Sequence, residues 1–372
     1  MAESVPHLPA QRLLVVMPTW LGDCVMATPT LRALRGLYPQ AHITALVKSD
    51  MRPIVDATPW LDRILTIRPH KRGRGDARRR SMLRLAGRLA AGRFDLAVLL
   101  PNSFRTALLT KMAKIPRRVG YDRDGRGFLL TDRLLPRRSH DGYIPVPTRE
   151  YFLGLARYLG AVDPDPTMEL FTRPQDDRAA QVLLAKGGYQ PESGQRLVLI
   201  NPGASFGDAK RWLPDRFAAV ADRCVRELGA AVALIGSPRE RPVLDQVLAA
   251  AKESLIDLPR LGLTLGTLKS IVRSSSLLIT NDTGPRHVAA ALGVPVVTIF
   301  GPTDPAWTEI GFALERQVMV SVFCGPCQRK VCPLDHRCMT RIDAEMVFAR
   351  AGDLWSAAQS AQRGVPSGGS EA

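Results

Sequence analysis

LLITNDTGPRHVAAALGVPVVTIFGPTDP, residues 277–305, is the stretch whose reading decides the fold. LLITND begins as a short, continuously apolar run, RHVAAALG has helical composition, and VPVVTIFG is a second apolar run rich in β-branched residues. Two such runs joined by a helix predict buried parallel strands in a βαβ unit rather than a hairpin. NDTG and GPTDP then fall at the carboxyl ends of strands, the edge at which open α/β sheets bind ligands.

The same alternation extends outward in both directions. Upstream lie RLVLIN (196–201), a glycine loop, the helix DRFAAVADRCVREL, AAVALIG, the helix PVLDQVLAAAK, SLIDL and the helix LKSIVRSS. The amino-terminal half repeats the pattern with RLLVVM (12–17), a PTWLGD turn, the helical VMATPTLRALRGLY, AHITALV, a short helix in RPIVDATP, and DRILTI. A helix near 77–91, the strand FDLAVLL (94–100) and a helix from Ser103 to Ala113 continue it. The expectation is an α/β protein of two Rossmann-like, doubly wound halves. The predicted boundaries are 1–175 for a basic first domain, 176–195 for a linker around one helix, and 196–355 for the second domain. Residues 356–372 are expected to be a helix end and a disordered tail. At 372 residues the chain exceeds what one hydrophobic core usually serves.

Charge divides the chain. It carries 51 Lys+Arg against 35 Asp+Glu, and the net of +16 resides wholly in residues 1–160, which hold 28 basic and 12 acidic side chains. Between Ile67 and Arg93 stand ten Lys/Arg and one acid, Asp76, which reads as a basic loop leading into a helix. A polyanionic partner is therefore expected at the first half. Nucleic acid, anionic lipid and a phosphorylated substrate all satisfy that requirement. No apolar run reaches the roughly 18 to 20 residues of a transmembrane helix, and MAESVPHLPAQR lacks a secretory pattern, so a cytoplasmic location is expected.

Three loops carry chemistry. In PTWLGDCVMATP (18–29), Asp23 opens a helix, where a carboxylate serves either as an N-cap or as a general base. In NPGASFGDAKRWLPDRFA (201–218), a strand, a glycine-containing loop and a helix offer backbone N–H groups to phosphate, and Lys210 is either a phosphate contact or a solvated side chain. Neither G-x-x-x-x-G-K-[ST] nor G-x-G-x-x-G is present, which argues against ATP hydrolysis and ordinary dinucleotide binding. In the 277–305 stretch, Asp282, Thr283, Gly284 and His287 form a further anion or sugar-hydroxyl site. Two such loops in one half favour a nucleotide-linked ligand.

PTWLGDCVMATPTLRAL, LPNSFRTALL, IPRRVGYDRDGRGFLLTDRL, PGASFGDAKRW and NDTGPRHVAAALGVPVVTIFGPTDP resemble the glycosyltransferase family 9 heptosyltransferases, from about Arg12 to about Asp353. The resemblance implies a GT-B fold with two Rossmann-like domains facing a central cleft. It implies an inverting enzyme that moves heptose from ADP-heptose to a heptosyl-Kdo2-lipid A acceptor at the cytoplasmic face of the inner membrane, as a monomer and without a catalytic cofactor. By position, Asp23 matches the catalytic base. Lys210, Asp282, Thr283, Gly284 and His287 match donor contacts, with Glu240 in GSPRE at a ribose position and Ser205 and Ser237 as weaker donor contacts. Arg105, Arg117, Arg118 and Arg123 are expected at acceptor phosphates, which guanidinium binds bidentately. PRH within NDTGPRH and the arginine-rich insert depart from the family pattern.

Four cysteines cluster as Cys324, Cys327, Cys332 and Cys338, with His336 among them. In a reducing compartment this is either a structural motif without metal or a zinc or iron–sulfur site. The run resembles the cysteine-rich segment of one heptosyltransferase subgroup. Cys24 and Cys224 read as buried thiols. The D-x-D pairs at Asp122/Asp124 and Asp163/Asp165 lie in turn-rich segments away from the donor loops and are not expected to bind metal. Within the enzyme class the rival is another family 9 transferase with a different acceptor or nucleotide sugar. A basic nucleic-acid-binding or membrane-binding protein would account for the charge, yet neither needs Asp23, Lys210 or the Asp282–His287 loop.

Overall fold

The computed structural model describes residues 9–67, 75–140 and 142–363. The core of the expected basic loop, 68–74, and most of the expected tail lie outside the described residues. The chain divides into two compact units, Met1–Phe171 with Ala306–Glu309, and Thr172–Pro305 with Ile310–Ala372.

In the first unit the strands are β1 (Arg12–Val16), β2 (His42–Lys48), β3 (Arg63–Ile67), β4 (Leu96–Leu99), β5 (Arg117–Tyr121) and β6 (Asp132–Leu134). They form one parallel sheet in the order β3-β2-β1-β4-β5-β6. A short antiparallel pair, β7 (Arg138–Ser139) and β8 (Gly142–Tyr143), follows. The helices are α1 (Leu21–Met26), α2 (Thr28–Leu37), α3 (Arg52–Val55), α4 (Gly75–Ala91), α5 (Phe104–Met112) and α6 (Thr148–Tyr158). Leu13 and Val15 pack into one core with Leu31, Leu34 and Phe152, while Leu14 and Val16 pack into another with Leu89, Phe94 and Leu109. Both faces of β1 are thus covered, which is why RLLVV reads as a continuous apolar run. Each such side chain contributes roughly 1.5 to 3 kcal/mol on burial.

The single helix expected over VMATPTLRALRGLY is two. α1 ends at Ala27 and α2 restarts at Thr28 with Pro29 in its first turn, because proline has no N–H to continue the α1 ladder.

The second unit repeats the design with β9 (Leu197–Asn201), β10 (Ala231–Leu234), β11 (Ile256–Asp257), β12 (Leu277–Asn281), β13 (Val296–Ile299) and β14 (Glu315–Val318), parallel in the order β11-β10-β9-β12-β13-β14. Its helices are α7 (Pro174–Lys186), α8 (Pro214–Leu228), α9 (Arg241–Ala250), α10 (Leu258–Leu261), α11 (Leu265–Arg273), α12 (Gly284–Ala291), α13 (Arg337–Thr340) and α14 (Ala344–Arg363). Trp212, Phe217, Leu234, Ile279 and Val297 fill the core with Leu354 and Trp355 of α14.

The expected linker at 176–195 is corrected. α7 belongs to the second unit: Asp176, Ala180 and Leu184 are buried, and Arg273 at the end of α11 pairs with Asp177 at 3.0 Å. The division falls at Phe171/Thr172, four residues before that segment begins.

Candidate functional site

In both sheets the order reverses between adjacent strands, β1 beside β4 and β9 beside β12. Loops leaving the carboxyl ends of such neighbours splay apart and leave a crevice, the ligand position of open α/β sheets. The loops carrying Asp23, Lys210 and Asp282 leave β1, β9 and β12, and the GPTDP turn leaves the neighbouring β13.

After β9 and β12, two asparagines tie the loops together. Asn201 donates to Thr280 Oγ1 and Thr283 Oγ1, both at 3.0 Å. Asn281 accepts from the Trp212 N–H at 3.1 Å and donates to the Pro202 and Gly203 carbonyls at 2.9 and 3.2 Å. Lys210, at the end of a 3-10 turn over Asp208–Lys210, is buried and bonded through Nζ to Asp282 Oδ2. Thr303, from the GPTDP turn, donates to the same oxygen at 2.9 Å. Burial pushes the Asp282 carboxyl up, but the Lys210 and Arg286 charges and the Lys210 hydrogen bond outweigh it and hold Asp282 below the ordinary carboxylate value. Thr283 and Gly284 stand half-buried at the start of α12.

His287 lies deeper than an exposed ligand. It is buried, Nδ1 has no hydrogen-bond partner, and burial together with the Arg286 charge pushes its pKa down to about 3, so the imidazole is neutral. Arg286, the departure within NDTGPRH, is fully buried and bidentate to Glu315 of β14 at 2.5 and 2.9 Å. Losing one partner of so buried a pair costs about 3 to 5 kcal/mol, because it strands the other charge.

Glu240 closes a capping box, its Oε2 accepting from Ser237 N–H and Oγ–H, both at 2.7 Å. A Cβ on Gly203 would lie 2.1 Å from Glu240 Oε1, so glycine is what lets the β9 loop meet this carboxylate. Ser205 is exposed beyond the loop. The cysteine-rich run buttresses the turn that carries Lys210: Ala209 N–H donates to the Lys330 carbonyl at 3.1 Å, and His336 Nε2 lies 2.7 Å from the Ala209 carbonyl oxygen.

In the first unit Asp23 sits in the first turn of α1 and is half-buried. The N-cap is Trp20, and among the described residues the Asp23 side chain has no hydrogen-bond or ion partner, which corrects the capping alternative. Burial pushes its pKa up to about 6. Beside it the Cys24 thiol is buried, donates to the Pro18 carbonyl, and is pushed well above its ordinary value by burial and by the Asp23 charge.

The expected acceptor arginines separate. Arg117 pairs with Asp132 at 2.9 Å, and Arg118 donates to the Leu129, Ile115 and Pro116 carbonyls, so both spend their donors inside the fold. Arg105 follows Phe104 half-buried at the start of α5. Arg123 lies 4.0 Å over the Tyr143 ring and lines a cavity of about 110 Å³ with Arg137, Tyr143, Tyr151 and Trp307.

The metal alternative at Cys324, Cys327, Cys332 and Cys338 gains no support. Among the described residues no group of three or more His, Cys, Asp or Glu side chains is arranged to hold a metal ion. Their spacing spreads them over a turn-rich segment and the start of α13, with Cys338 buried and the other three half-exposed. Asn201, Asn281, Thr303 and Glu315 escaped the sequence reading, which met Arg286 only as a departure and gave it no role. The asparagines stand in plain view in NPG and TND, whereas Glu315 is 29 residues from Arg286 and had no local signal.

Two Rossmann-like units with polar, charge-bearing loops at their sheet edges are the architecture of the GT-B class. Solved structures agree on the fold: the glycosyl transferase family 9 protein from Veillonella parvula superposes with a TM-score of 0.81 at 23% identity, covering 95% of this chain and 100% of that one. E. coli ADP-heptose lps heptosyltransferase II superposes at 0.76 and 24%, covering 94% and 99%. In sequence, lipopolysaccharide heptosyltransferase 2 of Salmonella typhimurium is 31% identical over 304 residues, 80% of this chain and 84% of that protein. Residues 82–337 match glycosyltransferase family 9 (heptosyltransferase), and the chain belongs to that family.

Proposed function

We propose that the protein transfers L-glycero-D-manno-heptose from ADP-heptose to a heptosyl-Kdo2-lipid A acceptor in lipopolysaccharide core biosynthesis. The relatives named heptosyltransferase 2 support this type over other members of the family. The observation that carries the reading is the buried Lys210–Asp282 pair where the loops after β9 and β12 meet. An ammonium held by a carboxylate beside the start of α12 is a ready partner for a diphosphate.

The step is a displacement with inversion at the anomeric carbon. A bond forms from the acceptor oxygen to that carbon, the bond to the diphosphate oxygen breaks, and the acceptor hydroxyl proton passes to Asp23. Asp23 suits this work, since a carboxyl at about 6 is ionised at neutral pH yet basic enough to take a proton. Negative charge grows on departing ADP, and Lys210 with the α12 N-terminus stabilises it in a dry setting. Thr283 and Gly284 flank the diphosphate, Glu240 addresses the ribose, and neutral His287 supports the α12 turn from within. The first unit holds the acceptor, with Arg105 and Arg123 at its anionic groups. The net charge of +16 in residues 1–160 suits an anionic membrane surface and supports a peripheral position at the inner membrane. No helix among the described residues is long and apolar enough to cross a membrane.

The test is turnover of ADP-heptose with the heptosylated acceptor, read by ADP release, for wild type beside Asp23→Ala. We expect wild-type product and a loss of roughly 10²-fold or more in the variant. Unchanged turnover in Asp23→Ala would remove the base. ADP-heptose binding without transfer to any heptosylated acceptor would leave the donor site and overturn the acceptor.

A further inference from the structure

Arg286 is the residue of NDTGPRHVAAALG that the donor reading leaves without work, and it cannot touch the donor. Its side chain is fully buried, bidentate to Glu315, and 4.9 Å from the Phe300 ring centroid. Its third partner is the carboxylate of the donor loop: Nη1 stands 3.4 Å from Asp282 Oδ1, one helical turn earlier in the chain. Asp282 therefore has two counter-ions on two different oxygens, Lys210 on Oδ2 and Arg286 on Oδ1. Glu315 is itself fixed, accepting from Thr298 Oγ1 at 2.6 Å and Gln317 Nε2 at 3.1 Å, so the guanidinium is held in place.

We infer that Arg286 is a positioning residue for donor binding, keeping Asp282 charge-compensated so that the Lys210 ammonium can turn to the diphosphate. This rests on the proposed donor site. Lys210, Asp282, Arg286 and Glu315 are two cations and two carboxylates that balance. When an anionic diphosphate takes Lys210 as its partner, a lone Asp282 would become an uncompensated buried carboxylate beside further negative charge, and at short range in a dry site that repulsion is large. With Arg286 in place, Asp282 keeps one cation and the exchange proceeds. Glu315 keeps that cation at Asp282 and away from the ligand.

The experiment measures ADP binding by calorimetry, with kcat and donor KM alongside, for wild type, Arg286→Met, Arg286→Lys, Glu315→Gln and the double variant Arg286→Met/Glu315→Gln. We expect Arg286→Met to weaken ADP binding roughly tenfold to a hundredfold, to raise donor KM more than it lowers kcat, and to be partly rescued by Arg286→Lys. Glu315→Gln binds ADP at least as tightly as wild type, because Asp282 retains its arginine. The double variant, with both charges gone from the core, recovers its melting temperature yet still binds ADP weakly. Recovery of ADP binding together with the melting temperature would overturn the inference, since the pair would then be structural only. Wild-type affinity in Arg286→Met would overturn it too and leave the donor site standing. Failure of the wild type to bind ADP would overturn the donor reading and this inference with it.

Discussion

The two units share a strand order and arm the reversal of that order in opposite ways. Between β9 and β12 the charges are buried and already paired, Lys210 with Asp282 and Arg286 with Glu315. Between β1 and β4 stands Asp23, a half-buried carboxylate with no partner among the described residues, and beyond it half-exposed arginines. A paired site offers an anion an exchange of partners and binds it. A lone carboxylate pushed up to about 6 binds little and accepts protons. Topology says where the loops go; in the proposed reading the charge pattern on them decides which half binds and which half reacts.

That division can be broken first at Lys210. Lys210→Ala should lower kcat/KM by about a hundredfold, because it removes the cation proposed to meet the diphosphate and leaves Asp282 with Arg286 alone. ADP titration should register most of the loss, and a variant that bound ADP normally but turned over slowly would move the reacting role into the second unit.

The pH profile sharpens the comparison next. As the proposed base Asp23 would work only when ionised, so kcat/KM should fall roughly tenfold per pH unit below about 6 and level off above it. Asp282, held below its ordinary value, and His287, neutral above about 3, add no step between pH 5 and 8. A profile flat from pH 5 to 8 would dismiss Asp23 as the titrating base.

A smaller effect concerns stability. Asp23 has a higher pKa folded than unfolded, so ionising it destabilises the fold, increasingly as pH rises from about 4 to about 6. Asp23→Asn should therefore raise stability at pH 7 by on the order of 1 to 3 kcal/mol, a few degrees in melting temperature, with no gain at pH 3.5. An equal gain at both pH values would trace it to packing instead.

The smallest expected effect is at the cysteines. A chelator, or Cys324→Ser with Cys327→Ser, should leave transfer within about twofold, a variation that single surface changes commonly produce. A larger loss restored by added zinc or iron would reopen the metal reading.

The fold was legible because every strand of the β9–β12 series is flanked by turn chemistry and followed by a helix of clear composition. β5, β6 and β14 were not read, since RRVGY, DRL and ERQV carry charges that their edge-side positions tolerate. Lys210 and Asp282 were legible because each leaves a strand in a loop with glycine. Their ion pair was not, because it spans 72 residues and exists only once β9 and β12 lie side by side. Arg117 and Arg118 misled for a related reason: local sequence shows a guanidinium but not the Asp132 carboxylate or the carbonyls that occupy it.

Gly203 carries a consequence for how substitutions would be read in this chain. Its place is fixed by Glu240, which Ser237 locks by two hydrogen bonds and which therefore cannot swing away from an added methyl group. A survey of every substitution at every position would score Gly203 as intolerant as Asp23. Tolerance alone would then nominate it as a chemical participant, although it offers a ligand no side chain at all. What it supplies is an empty volume one atom wide, and no replacement residue can supply that.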